Sequence, residues 1–100
     1  MKTMRFLPEL QLFLKNSGRI YTLRGFNMQE ADVNVENVGL CRRTPLGLVE
    51  DYNTLQTYVS TSGFSTLEAW IVKLRLFVSV GKPVWLYQVD VKGGDVGDQR

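Results

Sequence analysis

Asn16-Ser17-Gly18-Arg19-Ile20-Tyr21-Thr22-Leu23-Arg24 is the stretch on which the fold turns. The residues before it, Leu7-Pro8-Glu9-Leu10-Gln11-Leu12-Phe13-Leu14-Lys15-Asn16, have helical spacing: Leu7, Leu10 and Leu14 share a stripe with Phe13 at its flank. Pro8 suits a first helical turn, where its missing N–H is no loss, and Lys15 suits the negative end of the helix dipole. Gly18 can take the left-handed conformation that stops a helix. Arg19 to Phe26 then reads as a strand. Side chains on a strand alternate between faces, so Thr22 and Arg24 project together. A hydroxyl and a guanidinium delivered by a tight turn beside Arg19 suit an anion, a phosphate or a nucleobase edge. The plainer reading is a half-exposed strand whose polar side faces water.

Further along, Asn27 to Asp32 is polar and reads as a loop, and Val33, Val35, Val38 and Leu40 mark an extended region with a turn or bulge at Asn37 and Gly39. Arg42-Arg43-Thr44-Pro45 breaks this pattern, and Leu46 to Val49 reads as a short strand. Asp51 is placed to cap a second helix, in which Tyr52, Leu55, Tyr58 and Val59 recur and which Thr61-Ser62-Gly63 ends. Ser65-Thr66-Leu67-Glu68 reads as a capping box with Ser65 at the cap. In the helix that follows, Leu67, Trp70, Ile71, Leu74, Phe77 and Val78 form one apolar stripe, with Lys73 off it. A last strand runs from Val84 to Val91, with Trp85, Tyr87, Val89 and Val91 on one face and Leu86, Gln88 and Asp90 on the other. Residues 93–100 read as a mobile polar tail, which leaves one domain over residues 1–92.

A chain of 100 residues, 44% apolar and 22% charged, is sized and composed for one small folded domain. The net charge of +2 is too small to imply nucleic acid by itself; what matters is whether the charge gathers on one face. The absence of histidine removes the usual general base, the commonest zinc ligand and the histidine-activated nucleophiles. No metal site and no cofactor can be read. Cys41 has no partner for an internal disulfide, fits a reducing compartment, and reads as a buried or inert thiol, although two arginines follow it. Apolar runs fall short of the ~20 residues that span a bilayer. Pro8, Glu9, Gln11 and Lys15 interrupt any secretory apolar region, so a cytoplasmic protein without membrane contact is expected, with a monomer favoured. Helices and strands do not alternate in the regular βαβ fashion, which points to an α+β domain with a curved, mostly antiparallel sheet.

Three stretches together resemble the ASCH domain family of the PUA-like superfamily, over residues 5 to 91. They are Leu10 to Arg24, ending in Gly18-Arg19-Ile20-Tyr21-Thr22-Leu23-Arg24; Ser62-Gly63-Phe64-Ser65-Thr66-Leu67-Glu68-Ala69-Trp70; and Pro83-Val84-Trp85-Leu86-Tyr87-Gln88-Val89. The resemblance implies a small pseudo-barrel with two to four helices at its openings and a cleft between helix and sheet. It also implies a ligand among RNA and modified nucleosides. Some members of the family are amidohydrolases of acetylated cytidine that use a lysine, a threonine and a glutamate. Those positions fall here on Arg19, Thr22 and Ser62. An arginine cannot serve as a base, and a serine cannot take a proton as a carboxylate does. The family's glycine-aspartate turn after the second strand is missing as well.

These readings give an expected activity: binding of RNA or single-stranded DNA in a basic cleft lined by Arg19, Thr22 and Arg24. Tyr21, Phe26, Phe64, Trp70, Trp85 and Tyr87 are rings that could stack on bases, although Trp70 sits on the apolar stripe and reads as core, and Ser62 and Gly63 lie beside Phe64. Arg42 and Arg43 would extend the basic strip if a turn brought both to one rim, although neighbours in an extended segment point to opposite faces. Lys73, Arg75 and Lys82 form a third candidate set, within which Arg75 reads as solubilising charge. The alternative is a small hydrolase of a modified nucleoside or of RNA that uses Thr22 and Arg19 together with a carboxylate from elsewhere. A protein-interaction adaptor with a vestigial cleft is the third reading.

Overall fold

Strand β2 (Arg19–Arg24) begins where helix α1 (Pro8–Ser17) stops, and Gly18 makes the junction. The structure is a computed structural model and describes residues 1–92; the tail read over 93–100 lies outside the described residues. Gly18 sits at φ 83°, and its N–H donates to the Leu14 carbonyl at 2.8 Å, so the helix is closed by the glycine that the sequence offers for it. Leu7 caps the other end without a side-chain hydrogen bond, and Pro8 fills the first turn.

The remaining strands are β1 (Lys2–Met4), β3 (Ala31–Val35), β4 (Gly39–Leu48) and β5 (Trp85–Val91). Among the described residues they form one five-stranded sheet in the order β1-β3-β4-β5-β2. β1 runs parallel to β3, and every other pair is antiparallel. The architecture is thus a small α+β domain with a mixed sheet. It is not a closed barrel: β1 and β2 are its two edges, and no ladder joins them among the described residues.

Several elements differ from their sequence reading. Of the stretch read as a loop, Ala31 and Asp32 already belong to β3, which pairs Asp32 with Arg42. Arg42 to Pro45 does not break the chain's extension; β4 runs through it, with a bulge between Pro45 and Gly47. β3 covers β4 only as far as Arg43, so at Pro45 the strand has a neighbour on one side alone, and the missing N–H removes no ladder bond. The segment capped by Asp51 is a 3-10 helix, Tyr52–Thr61, in which Tyr52, Leu55 and Tyr58 recur every third residue, as three residues per turn require. Helix α2 (Leu67–Leu74) is capped by Thr66, whose Oγ1 accepts from the Ala69 N–H at 3.0 Å; Ser65 is not the cap. It ends at Leu74, so Phe77 leaves the predicted apolar stripe and is 70% exposed.

Two apolar clusters flank the sheet rather than one core. Ile20 and its register partner Val89 join Met4, Phe6, Leu14, Val33, Val35 and Cys41, against α1. Leu23 and its partner Leu86 project oppositely and join Leu55, Val59, Trp70, Leu74 and Val84, under α2 and the 3-10 helix. Gly63, at the turn before α2, is where the helical layers meet. A side chain there would place its Cβ 2.6 Å from Leu10 Cδ2 and 3.6 Å from Ile20 Cδ1.

Candidate functional site

A cavity of about 560 Å³ lies where the sheet fails to close. Thr3 and Met4 of β1 and Thr22, Leu23 and Arg24 of β2 line it, so both edge strands of the sheet face it. Phe6 and Leu10 wall one side, and Phe64, Trp70, Lys73 and Leu74 wall the other. Gly25, Phe26, Met28, Phe77 and Val78 complete the lining, with Phe26 and Phe77 both largely exposed.

Arg24 spans the gap. Its Nε donates to Thr22 Oγ1 at 3.2 Å, its Nη2 donates to the Arg5 carbonyl at 2.8 Å, and its guanidinium lies 4.7 Å from the centroid of the Phe6 ring. Burial, and secondarily the Arg43 charge, lower the Arg24 pKa to about 10, which still leaves it cationic at neutral pH. Among the described residues no carboxylate pairs with Arg24, Arg43, Arg5 or Lys73. Among the described residues no Asp or Glu lines the cavity. Arg24 is thus a half-buried cation with no acid partner among the described residues, held by neutral oxygens and a ring at the edge of the hollow.

Of the candidate site residues singled out from the sequence, Thr22, Arg24, Phe26, Phe64, Trp70 and Lys73 line the cavity and the others do not. Arg19 projects from the opposite face of β2 and is committed to Asp90, Nε to Oδ1 at 2.5 Å, an interaction that raises its pKa. The expected convergence of Arg19 with Thr22 and Arg24 is therefore not what the fold builds. Tyr21 shares Arg19's face and packs edge-on against Tyr58, with ring centroids 4.7 Å apart. Arg42 is held by Glu30 at 3.1 Å and Asp32 at 3.0 Å, whereas Arg43 is buried on the other face with Nε and Nη2 on the Gln29 carbonyl. The two do not share a rim. Ser62 is buried; its hydroxyl donates to the Val59 carbonyl at 2.7 Å and accepts from the Phe64 N–H at 3.1 Å, which fixes the turn that carries Phe64. Gly63 gives that turn its positive φ of 88°. Of the three positions implied by the amidohydrolase resemblance, Thr22 alone faces the cavity.

Arg5 and Phe77 contribute as well: Arg5 stands outside every sequence pattern, and Phe77 has the spacing of the apolar stripe. Tyr87 is fully buried opposite Thr22; its hydroxyl donates to the Phe26 carbonyl at 2.5 Å and accepts from the Met28 N–H at 2.6 Å. It thereby holds the loop after β2 against the cavity. The signal for its role was its place on the same β5 face as Val89, which fixes a phenol in the interior with a hydroxyl that needs partners. Cys41 is buried and its thiol is pushed up to about 11, chiefly by burial and then by Asp90; the neighbouring arginines do not activate it. No group of three or more metal-ligating side chains gathers among the described residues, and no helix among them is long and apolar enough to cross a membrane.

Comparison of the chain with models of known families, with curated proteins and with solved structures returns no match.

Proposed function

We propose that this protein binds single-stranded nucleic acid, RNA in the first instance, with one nucleotide seated in the cavity between the edges of β1 and β2. The observation that carries this reading is the lining itself: among the described residues it holds three cations, Arg5, Arg24 and Lys73, five aromatic rings, Phe6, Phe26, Phe64, Trp70 and Phe77, and no carboxylate. Cations complement phosphate, and rings take bases of any identity by their faces. A volume of about 560 Å³ is in the range of small-ligand sites. The resemblance to ASCH domains, and the pseudo-barrel that it implies with its seam left open, leads to the same class of ligand. The hydrolase alternative needs a carboxylate beside Thr22, and the cavity gives it no support.

The test is a salt titration of binding to a labelled uridine hexanucleotide. Lys73→Gln is expected to weaken binding and to reduce the slope of log affinity against log salt by about 0.7, the share of one phosphate contact on a single strand. Arg19→Gln, on the opposite face, is expected to leave both unchanged. Loss of affinity in Arg19→Gln with none in Lys73→Gln would move the site off the cavity, and absence of binding at low salt would remove the proposal.

A further inference from the structure

We infer that Phe26 and Phe77 form a stacking platform at the mouth of the cavity, so that the ligand is a strand rather than a free nucleotide. This rests on the nucleic-acid reading above and specifies its substrate. The two rings are among the most exposed large apolar side chains of the fold, at 74% and 70%, and both border the cavity. They are held near one another by their neighbours. A Cβ built on Gly25 would lie 3.1 Å from Val78 Cγ2, so the chain beside Phe26 packs on the chain beside Phe77. The Phe26 backbone is further fixed by the buried hydroxyl of Tyr87, which donates to its carbonyl.

A ring held out in water by a pinned backbone is prepared to receive a flat partner without losing further chain freedom. A nucleotide sitting wholly inside the cavity would leave both rings in water. A strand threading past the mouth sets its neighbouring bases on them, while Arg5 and Lys73 lie along the same opening for its phosphates. The two fixed rings favour this occupant over an acidic peptide helix, which offers no run of flat groups; charge alone would admit either. It does not by itself select against an anionic lipid surface, so that surface enters the test.

The experiment compares the uridine hexanucleotide with uridine monophosphate by calorimetry, on the wild type, Phe26→Ala and Phe77→Ala. Both rings are exposed, and unchanged melting temperatures will show that the variants fold. Expected are tighter binding of the strand than of the monophosphate by the wild type, about fivefold to a hundredfold weaker strand binding in each variant, and a smaller loss for the monophosphate; an equal loss for both probes overturns the inference. Strand affinity unchanged in both variants overturns the inference and leaves the cavity reading standing. Failure of the wild type to bind either probe overturns both. Binding to phosphatidylserine vesicles that is lost in both variants, with no strand binding, overturns the inference and assigns the face to a membrane surface.

Discussion

Arg42 and Arg43 are adjacent in sequence and have no polar partner in common. One is clamped by Glu30 and Asp32 on the outer face; the other is buried with its guanidinium on the Gln29 carbonyl. The two-residue period of a strand dictates that they part, and that much was legible. Which of the two turns inward was not, because the partner that satisfies it is a backbone carbonyl in a loop without pattern. The same holds at Ser62 and Gly63, which read as contact residues but serve the turn ahead of α2. Gly63 combines φ 88° with a Cβ position 2.6 Å from Leu10 Cδ2, so a methyl group there meets both left-handed strain and a side chain of α1. Gly63→Ala is expected to lower stability by at least about 2 kcal/mol, the sum of a modest conformational penalty and overpacking. Urea denaturation followed by circular dichroism measures it; a midpoint equal to that of the wild type would show that the helical layers are not in contact there.

Among the elements, the best-read were those whose ends carry their own chemistry: α1 between Pro8 and Gly18, and β5 with its alternating faces. Period-three spacing of Tyr52, Leu55 and Tyr58 was visible too, but apolar recurrence at three and four residues serves an α-helix and a 3-10 helix alike, and their distinction depends on what the rings pack against. Beyond Leu74 the run Leu76, Phe77, Val78 and Val80 keeps an apolar character while leaving the helix, since its β-branched and aromatic residues favour helix weakly. That is why Phe77 read as core and lies instead at the mouth of the cavity. The cap of α2 separates the two readings in a direct way. Thr66 Oγ1 accepts from the Ala69 N–H, whereas Ser65 stands one residue outside, although both residues suit a cap. Thr66→Ala is expected to cost about 1 kcal/mol and Ser65→Ala under ~0.5 kcal/mol, by chemical denaturation. The reverse order would return the cap to Ser65.

At the scale of the whole molecule, the charges segregate by face, which a net charge of +2 does not reveal. On the face opposite Thr22 and Arg24, Asp32, Arg42, Asp90 and Arg19 follow one another in register across β3, β4, β5 and β2, alternating in sign. Lys92 adds a contact to Asp32 at 3.3 Å. This face neutralises itself, while Arg5, Arg24 and Lys73 at the open seam have no carboxylate partner among the described residues. Strand order could not be read from the sequence, because pairing β5 between β4 and β2 depends on long-range contacts that no local pattern records. The ladder makes its own prediction. The hydrogen bonds from Arg42 and then Lys92 hold the Asp32 pKa below its ordinary value. A carboxyl depressed in the folded state stabilises it fully above the unfolded pKa, near ~4, and that contribution is lost as pH falls through the lower folded value. Asp32→Asn is therefore expected to melt at a lower temperature than the wild type at pH 7, with the difference shrinking below about pH 4 and vanishing once the native carboxyl is protonated. These groups are exposed, so added salt is expected to reduce the difference at pH 7 as well. Strand binding by Asp32→Asn is expected to match the wild type, because none of the ladder's charged side chains lines the cavity. A difference that persists unchanged at pH 2 would show that Asp32 acts through packing rather than charge, and a parallel loss of binding would show that the two faces are coupled.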